Sequence, residues 1–170
     1  MVNKYVLTQD EWQKINIYAN ETVERARRGN YKDYVVAPEL SVNLMGLMSE
    51  YCAAQILGVP FNFDSIFQVN RPDLINGLEI RSTQHMNGNL IVYENDKPAN
   101  YVLTTIDFKE LSVTLVGWLH FNDCVNKKYW RTVPKVRKDS YWVPQKDLKP
   151  ISDLQSTVAA WTTSWTTMST

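Results

Sequence analysis

The residues of this chain best suited to chemistry lie between Asn70 and His85, in the stretch NRPDLINGLEIRSTQH. Asp73 and Glu79 flank an Asn-Gly turn there, and Arg81 follows on the second arm. Two carboxylates on either side of a tight turn can hold a divalent cation if both emerge on one face, which depends on register. If Asn76-Gly77 forms a two-residue turn, Leu74 faces Glu79 and Asp73 points to the opposite side. If the loop is Ile75-Asn76-Gly77, with Gly77 left-handed in a G1 bulge, Leu74 pairs with Leu78 and Asp73 with Glu79. Both carboxylates then share a face with Arg81, which sits on Glu79's side by strand alternation. The chemistry open to that set is metal-assisted phosphodiester hydrolysis, with the cation at position 81 holding the phosphate or the attacking water. Arginine, with a pKa above about 12, stabilises charge but does not act as a base. Asp, Asn and Gly are also ordinary hairpin residues, and a solvated Glu79/Arg81 pair is ordinary on an edge strand.

The elements that would position these residues follow from periodicity. Thr8 with Glu11 forms a capping box, and Trp12, Ile15, Tyr18 or Ala19, and Val23 continue at helical spacing, which predicts a helix over about 9–28. A second helix is predicted over about 43–57, ending at Gly58, and it is apolar on most sides except at Glu50 and Gln55. Glu50 stands out there, because an acid in so apolar a helix is costly to bury without a partner. From residue 65 the period changes to two. SIFQV, PDLI, LEIRST, NLIVYE, NYVLTTID and LSVTLVGWL read as strands of a sheet spanning about 65–120. FNDCVNKKYW reads as a short helix or turn, and 140–154 as an extended closing arm. The expected organisation is one domain over 1–154 followed by a tail, 155–170, with nine Ser/Thr among its 16 residues and two tryptophans, Trp161 and Trp165.

Composition narrows the class. At 170 residues, 44% hydrophobic and 12% aromatic, the chain can bury one proper core. No window approaches the roughly 18 apolar residues of a membrane span, and the N-terminus lacks a secretory pattern, so no membrane partner and a cytoplasmic location are expected. Cys52 and Cys124 show no metal or disulfide spacing, and His85 and His120 read as surface or hydrogen-bonded histidines. Eighteen basic and eighteen acidic residues cancel. Yet 127–139, KKYWRTVPKVRKD, holds six cations and one acid, a local charge of +5. Lys127, Lys128, Arg131, Lys135, Arg137 and Lys138, interleaved with Tyr129 and Trp130, suit phosphate contacts and stacking on exposed bases.

Taken in order, GLMSEYCAAQILGVPF, RPDLINGLEIRST, GNLIVYENDKPANYVLTTID, LVGWL with its Gly117-Trp118, and YWVPQKDLKPISDL resemble a family of small proteins found mostly in bacteriophages and prophages. Their core is similar to the PD-(D/E)xK restriction-endonuclease-like fold. The resemblance, over about 41–154, implies an α/β domain with a central mixed sheet of about five strands flanked by helices. It implies a phage-encoded nuclease with Mg²⁺ or Mn²⁺ as cofactor and DNA, or secondarily RNA, as partner, acting in the host cytoplasm, and it leaves the oligomeric state open. Glu50 would be the helical acid, Asp73 and Glu79 the metal ligands, and the Ile80 carbonyl a further oxygen ligand. Arg81 stands where the superfamily usually has lysine, and the spacing of six between Asp73 and Glu79 is shorter than usual. A catalytically silent nucleic-acid-binding protein on the same scaffold, or a viral structural protein that docks through its tail, are the alternatives.

Overall fold

The computed structural model describes residues 3–28, 40–67, 72–132 and 139–158. A short strand, β1 (Lys4–Val6), precedes the first helix, α1 (Gln9–Arg28). The capping box forms as read: Thr8 N–H donates to the Glu11 carboxylate at 2.8 Å, and Glu11 N–H donates back to the Thr8 hydroxyl at 3.3 Å. Ile15, Ala19 and Val23 bury one stripe of α1 against the second helix, α2 (Leu40–Leu57). α2 ends in a Schellman motif, with Val59 N–H on the Ala54 carbonyl and Gly58 N–H on that of Gln55.

The strands divide into two sheets. The larger is mixed and runs β1-β5-β4-β2, built from β2 (Leu78–Thr83), β4 (Asn100–Asp107) and β5 (Ser112–His120) together with β1. β2 and β4 are parallel, while β4–β5 and β5–β1 are antiparallel. The smaller sheet is antiparallel and ordered β3-β7-β6, from β3 (Leu90–Val92), β6 (Trp130–Arg131) and β7 (Ser140–Val143). A short helix, α3 (Phe121–Cys124), follows β5, and a last helix, α4, covers 151–158.

Two cores result. Leu78, Ile80, Val102, Ile106, Val113 and Leu115 face α1, α2 and α4, whose Ile15, Met48, Cys52, Ala53 and Leu154 complete one core. Tyr101, Leu103 and Leu119 face the other way, against Leu90, Val92 and Val143 of the small sheet, and Cys124 and Tyr129 close that second core. The large sheet is therefore covered by helices on one face and by a second sheet on the other.

The expected architecture is corrected in four places. The single sheet of about five strands is a four-stranded mixed sheet and a three-stranded antiparallel one, because β3 pairs with β7, some fifty residues away, rather than with its chain neighbours. The strand expected from residue 65 is a 3-10 turn over Phe63–Phe67 as far as the described residues reach. Phe63, just ahead of that stretch, packs against Tyr18, Tyr51 and Phe61, which fastens the start of the turn into the aromatic seam between α1 and α2. The closing arm is extended only over β7 and becomes helical at residue 151. β1 extends the sheet at the N-terminus, ahead of the two helices that were expected to come first. Residues 159–170 of the tail lie outside the described residues. No helix among the described residues is long and apolar enough to cross a membrane.

Candidate functional site

The register left open by the sequence is the three-residue one. Leu74 and Leu78 form an antiparallel bridge, Leu74 N–H donates to the Leu78 carbonyl at 3.1 Å, and Ile75–Gly77 make a single 3-10 turn. Gly77 has φ +73°, the left-handed conformation that admits glycine at no steric cost. One carboxylate oxygen of Asp73 then accepts from Ile80 N–H at 2.7 Å.

Strand alternation fixes what lies around that bond. Leu78 and Ile80 enter the helical-side core, so Glu79 and Arg81 point to the opposite face of β2, toward Tyr101. The two backbone edges of β2 also differ. Arg81's carbonyl turns inward and accepts from the Thr104 hydroxyl at 3.3 Å, while Ile80's N–H turns outward to Asp73. Within a strand the N–H and C=O of one residue point the same way, so the Ile80 carbonyl lies on the outer edge of β2, beside Asp73.

Glu79 is half-buried at this edge, and its pKa is raised above the ordinary glutamate range. Burial is the main cause and the neighbouring Asp73 charge the second, while Arg81 and Lys97 pull the other way and Asp96 adds to the rise. Glu50 and Asp73 line a common cleft of about 260 Å³ with Thr22, Val42, Asn43, Gly46, Leu47 and Ile66. Asp73 thus shares a cleft with Glu50 and acts through its charge on Glu79, whereas Glu50 approaches from the helical side of the sheet and Glu79 stands on the other face.

Magnesium and manganese are the ions the resemblance implies, and the donor types suit them. Two carboxylates and an edge carbonyl are all hard oxygen ligands, and Mg²⁺ is commonly held by one or two carboxylates with water completing its shell. Among the described residues, no group of three or more His, Cys, Asp or Glu side chains is gathered so that it could hold a metal ion. Asp73, Glu79 and the Ile80 carbonyl would be the protein's contribution.

Arg81 is more tightly engaged than the sequence suggested. Its Nη2 lies 2.8 Å from Asp96 Oδ2, and its guanidinium sits over the Tyr101 ring, 5.1 Å from the centroid. Burial raises the Tyr101 hydroxyl pKa to about 12, and Asp96 reinforces the rise. Sequence reading missed Asp96, Lys97 and Tyr101. An acid in the turn segment ENDKP carries no signal of its own, and Tyr101 looked like one more strand aromatic.

The basic strip is only partly as expected. Lys127 and Lys128 lie in an exposed 3-10 turn, Lys127–Tyr129, and Arg131 is exposed on β6. Lys128 lies 3.7 Å from the Asp147 carboxylate and covers the Tyr129 ring. Tyr129 is not available for stacking on bases: its ring fills the second core and its hydroxyl donates to Asp147 at 2.9 Å. Trp130 is half-buried and packs edge-on against Tyr141 with ring centroids 4.8 Å apart. Lys135, Arg137 and Lys138 lie outside the described residues, in the segment that joins β6 to β7.

His120 caps α3, its Nδ1 accepting from Asn122 N–H at 3.2 Å, which gives it a structural hydrogen bond. Both cysteines are buried, and burial pushes each thiol up to about 12. Comparison of the chain with protein-family models, with curated proteins and with solved structures finds no match.

Proposed function

We propose that this protein is a divalent-cation-dependent nuclease of restriction-endonuclease-like class, hydrolysing DNA phosphodiesters at the outer edge of β2. The observation that carries the reading is Asp73 held on the Ile80 N–H at the outer edge of β2, beside an outward-facing carbonyl and where its charge acts on Glu79. A fold that keeps two acids together at a cost in charge repulsion is suited to a cation that relieves it. A bound Mg²⁺ or Mn²⁺ would lower the pKa of a coordinated water and offset charge gathering on the phosphate.

The chain's own residues then have separate tasks. Asp73 is tied to Ile80 N–H, so its carboxylate is oriented before any ion arrives. Glu79 supplies the second carboxylate, and Glu50 is the helical acid, sharing the cleft with Asp73. Arg81 serves the phosphate as a fixed positive group, not as a base. The exposed cations Lys127, Lys128 and Arg131, together with Lys135, Arg137 and Lys138, supply backbone contacts along the nucleic acid. The setting is a cytoplasm, that of a host cell if the chain is of phage origin.

A second reading, a DNA-binding protein that does not cut, is favoured by one observation. Arg81 is already paired with Asp96, so the position that usually holds lysine is here part of a preformed ion pair. Cleavage of labelled DNA in Mg²⁺ or Mn²⁺, run beside a gel-shift assay, separates the two. Cleavage abolished by chelator and by Asp73→Ala is the nuclease result, whereas binding without cleavage in either metal gives the second reading. Wild-type-like cleavage by Asp73→Ala overturns the placement of the site.

A further inference from the structure

We propose that Asp96, in the segment between β3 and β4, is the positioning residue of Arg81, holding its guanidinium beside Glu79 so that it meets a phosphate already oriented. The inference rests on the reading of Asp73, Glu79 and Arg81 as the phosphodiester site and goes further by naming what aims the arginine.

Asp96 is itself anchored. The oxygen that pairs with Arg81 Nη2 at 2.8 Å also accepts from Tyr93 N–H at 2.9 Å, and Asp96 N–H donates to the Tyr93 carbonyl at 3.0 Å. Its side chain is only 20% exposed. Tyr101 closes the seat from below. Its ring lies under the guanidinium, and its hydroxyl donates to the Lys97 carbonyl at 2.9 Å, tying the turn to β4. The two groups that hold Arg81 are therefore fastened to one another through the backbone of 93–97.

An exposed ion pair between two free side chains gains little, because each must give up rotamer freedom to form it. Here the carboxylate and the ring are fixed before the arginine arrives, so its orientation is largely set in advance. The seat also explains why arginine occupies this position. A planar guanidinium can stack on Tyr101 and bond Asp96 at once, and a lysine ammonium has no plane with which to do both. Arg81 Nε is buried with no hydrogen-bond partner among the described residues, a donor left over by the seat.

The rival role for Asp96 is competition, in which its carboxylate occupies Arg81 and a phosphate must displace it. The two roles predict opposite signs. Binding of a fluorescein-labelled DNA duplex and its cleavage in Mn²⁺ are measured for wild type, Asp96→Asn, Arg81→Ala and the double variant, with thermal melting as a folding control. If Asp96 positions Arg81, Asp96→Asn weakens binding or cleavage by roughly five- to tenfold although it removes a negative charge. In the Arg81→Ala background the same change has less than about a twofold effect, because Asp96 acts through Arg81. Should Asp96→Asn melt too early to read, Tyr101→Phe keeps the ring, releases Lys97, and must show the same dependence on Arg81. Tighter binding by Asp96→Asn, no change, or an equal loss in both backgrounds overturns the proposal and leaves the site reading intact. An Arg81→Ala variant with wild-type binding and cleavage overturns the site reading, and the positioning role with it.

Discussion

An oxygen of the Asp73 carboxylate lies 2.7 Å from the backbone nitrogen of Ile80, so the acid that precedes the turn is bonded to the strand that follows it. The three-residue loop puts the acid within reach of this bond. The bond does two things at once, satisfying an N–H on the outer edge of β2 and fixing Asp73 where its charge acts on Glu79.

Removal of that carboxylate should cost stability. Asp73→Ala is expected to lower the unfolding free energy by about 1.5–3 kcal/mol, the usual worth of a hydrogen bond to a charged group. Asp73→Asn keeps an oxygen that can accept from Ile80 and should lose less. Urea denaturation of the three proteins checks this, and an Asp73→Ala variant as stable as wild type would remove the bond from the account.

Glu79 makes a prediction in pH. Its folded pKa lies above its unfolded one, so between those values the folded state holds more proton than the unfolded state. Stability must then fall as pH rises from the ordinary glutamate range through the raised value, and level off above it. Glu79→Gln removes this fall, so its melting temperature should gain on wild type across that window and keep the gain at neutral pH. A difference between the two that does not vary with pH contradicts the burial and Asp73 repulsion assigned to Glu79.

A cation that relieves this repulsion should stabilise the fold by mass action. At one hundred times its dissociation constant, Mg²⁺ or Mn²⁺ is expected to add about 2.7 kcal/mol, and to add none in Asp73→Ala. A thermal-shift titration reads this without any substrate. Equal shifts in the two proteins would place the ion elsewhere.

Local grammar carried much of the fold into the sequence. The Thr8–Glu11 box, the end of α2 at Gly58, and β2, β4 and β5 depend on neighbouring residues, and all were legible. The division into two sheets was not, since Leu90 and Val92 alternate equally well beside β4 or beside β7, and only long-range pairing chooses. The site divided in the same way. Asp73, Glu79 and Arg81 stood out because their spacing around Gly77 is local, whereas Asp96 and Tyr101 reach Arg81 through tertiary structure.

Gly117 shows how a motif can be legible before its reason is. Gly117-Trp118 stood out in the sequence, and the structure supplies the cause: a Cβ at 117 would lie 2.7 Å from Leu148 Cβ and 2.9 Å from the Lys149 carbonyl. The closing segment crosses β5 at this point, with Trp118 and Lys149 exchanging backbone hydrogen bonds at 3.1 and 2.9 Å. Gly117→Ala should therefore push that segment off the sheet and cost about 1–3 kcal/mol, as overpacking does elsewhere. Equilibrium denaturation measures it, and an unchanged midpoint would mean the segment yields without cost.

The basic strip gives the last prediction, one that does not depend on cleavage. Lys127 and Arg131 are exposed, and Lys128 is exposed beside Asp147, so all three can reach a phosphate backbone without unpacking a core. Tyr129 is excluded from that role by its burial. Each phosphate contact releases counterions, so the logarithm of the binding constant falls with the logarithm of salt by close to one unit per contact. Neutralising Lys127, Lys128 and Arg131 together should weaken DNA binding and flatten that slope by about two to three units, while Asp73→Ala leaves the slope unchanged. If the triple variant keeps the wild-type slope, Lys127, Lys128 and Arg131 are ordinary solvated surface.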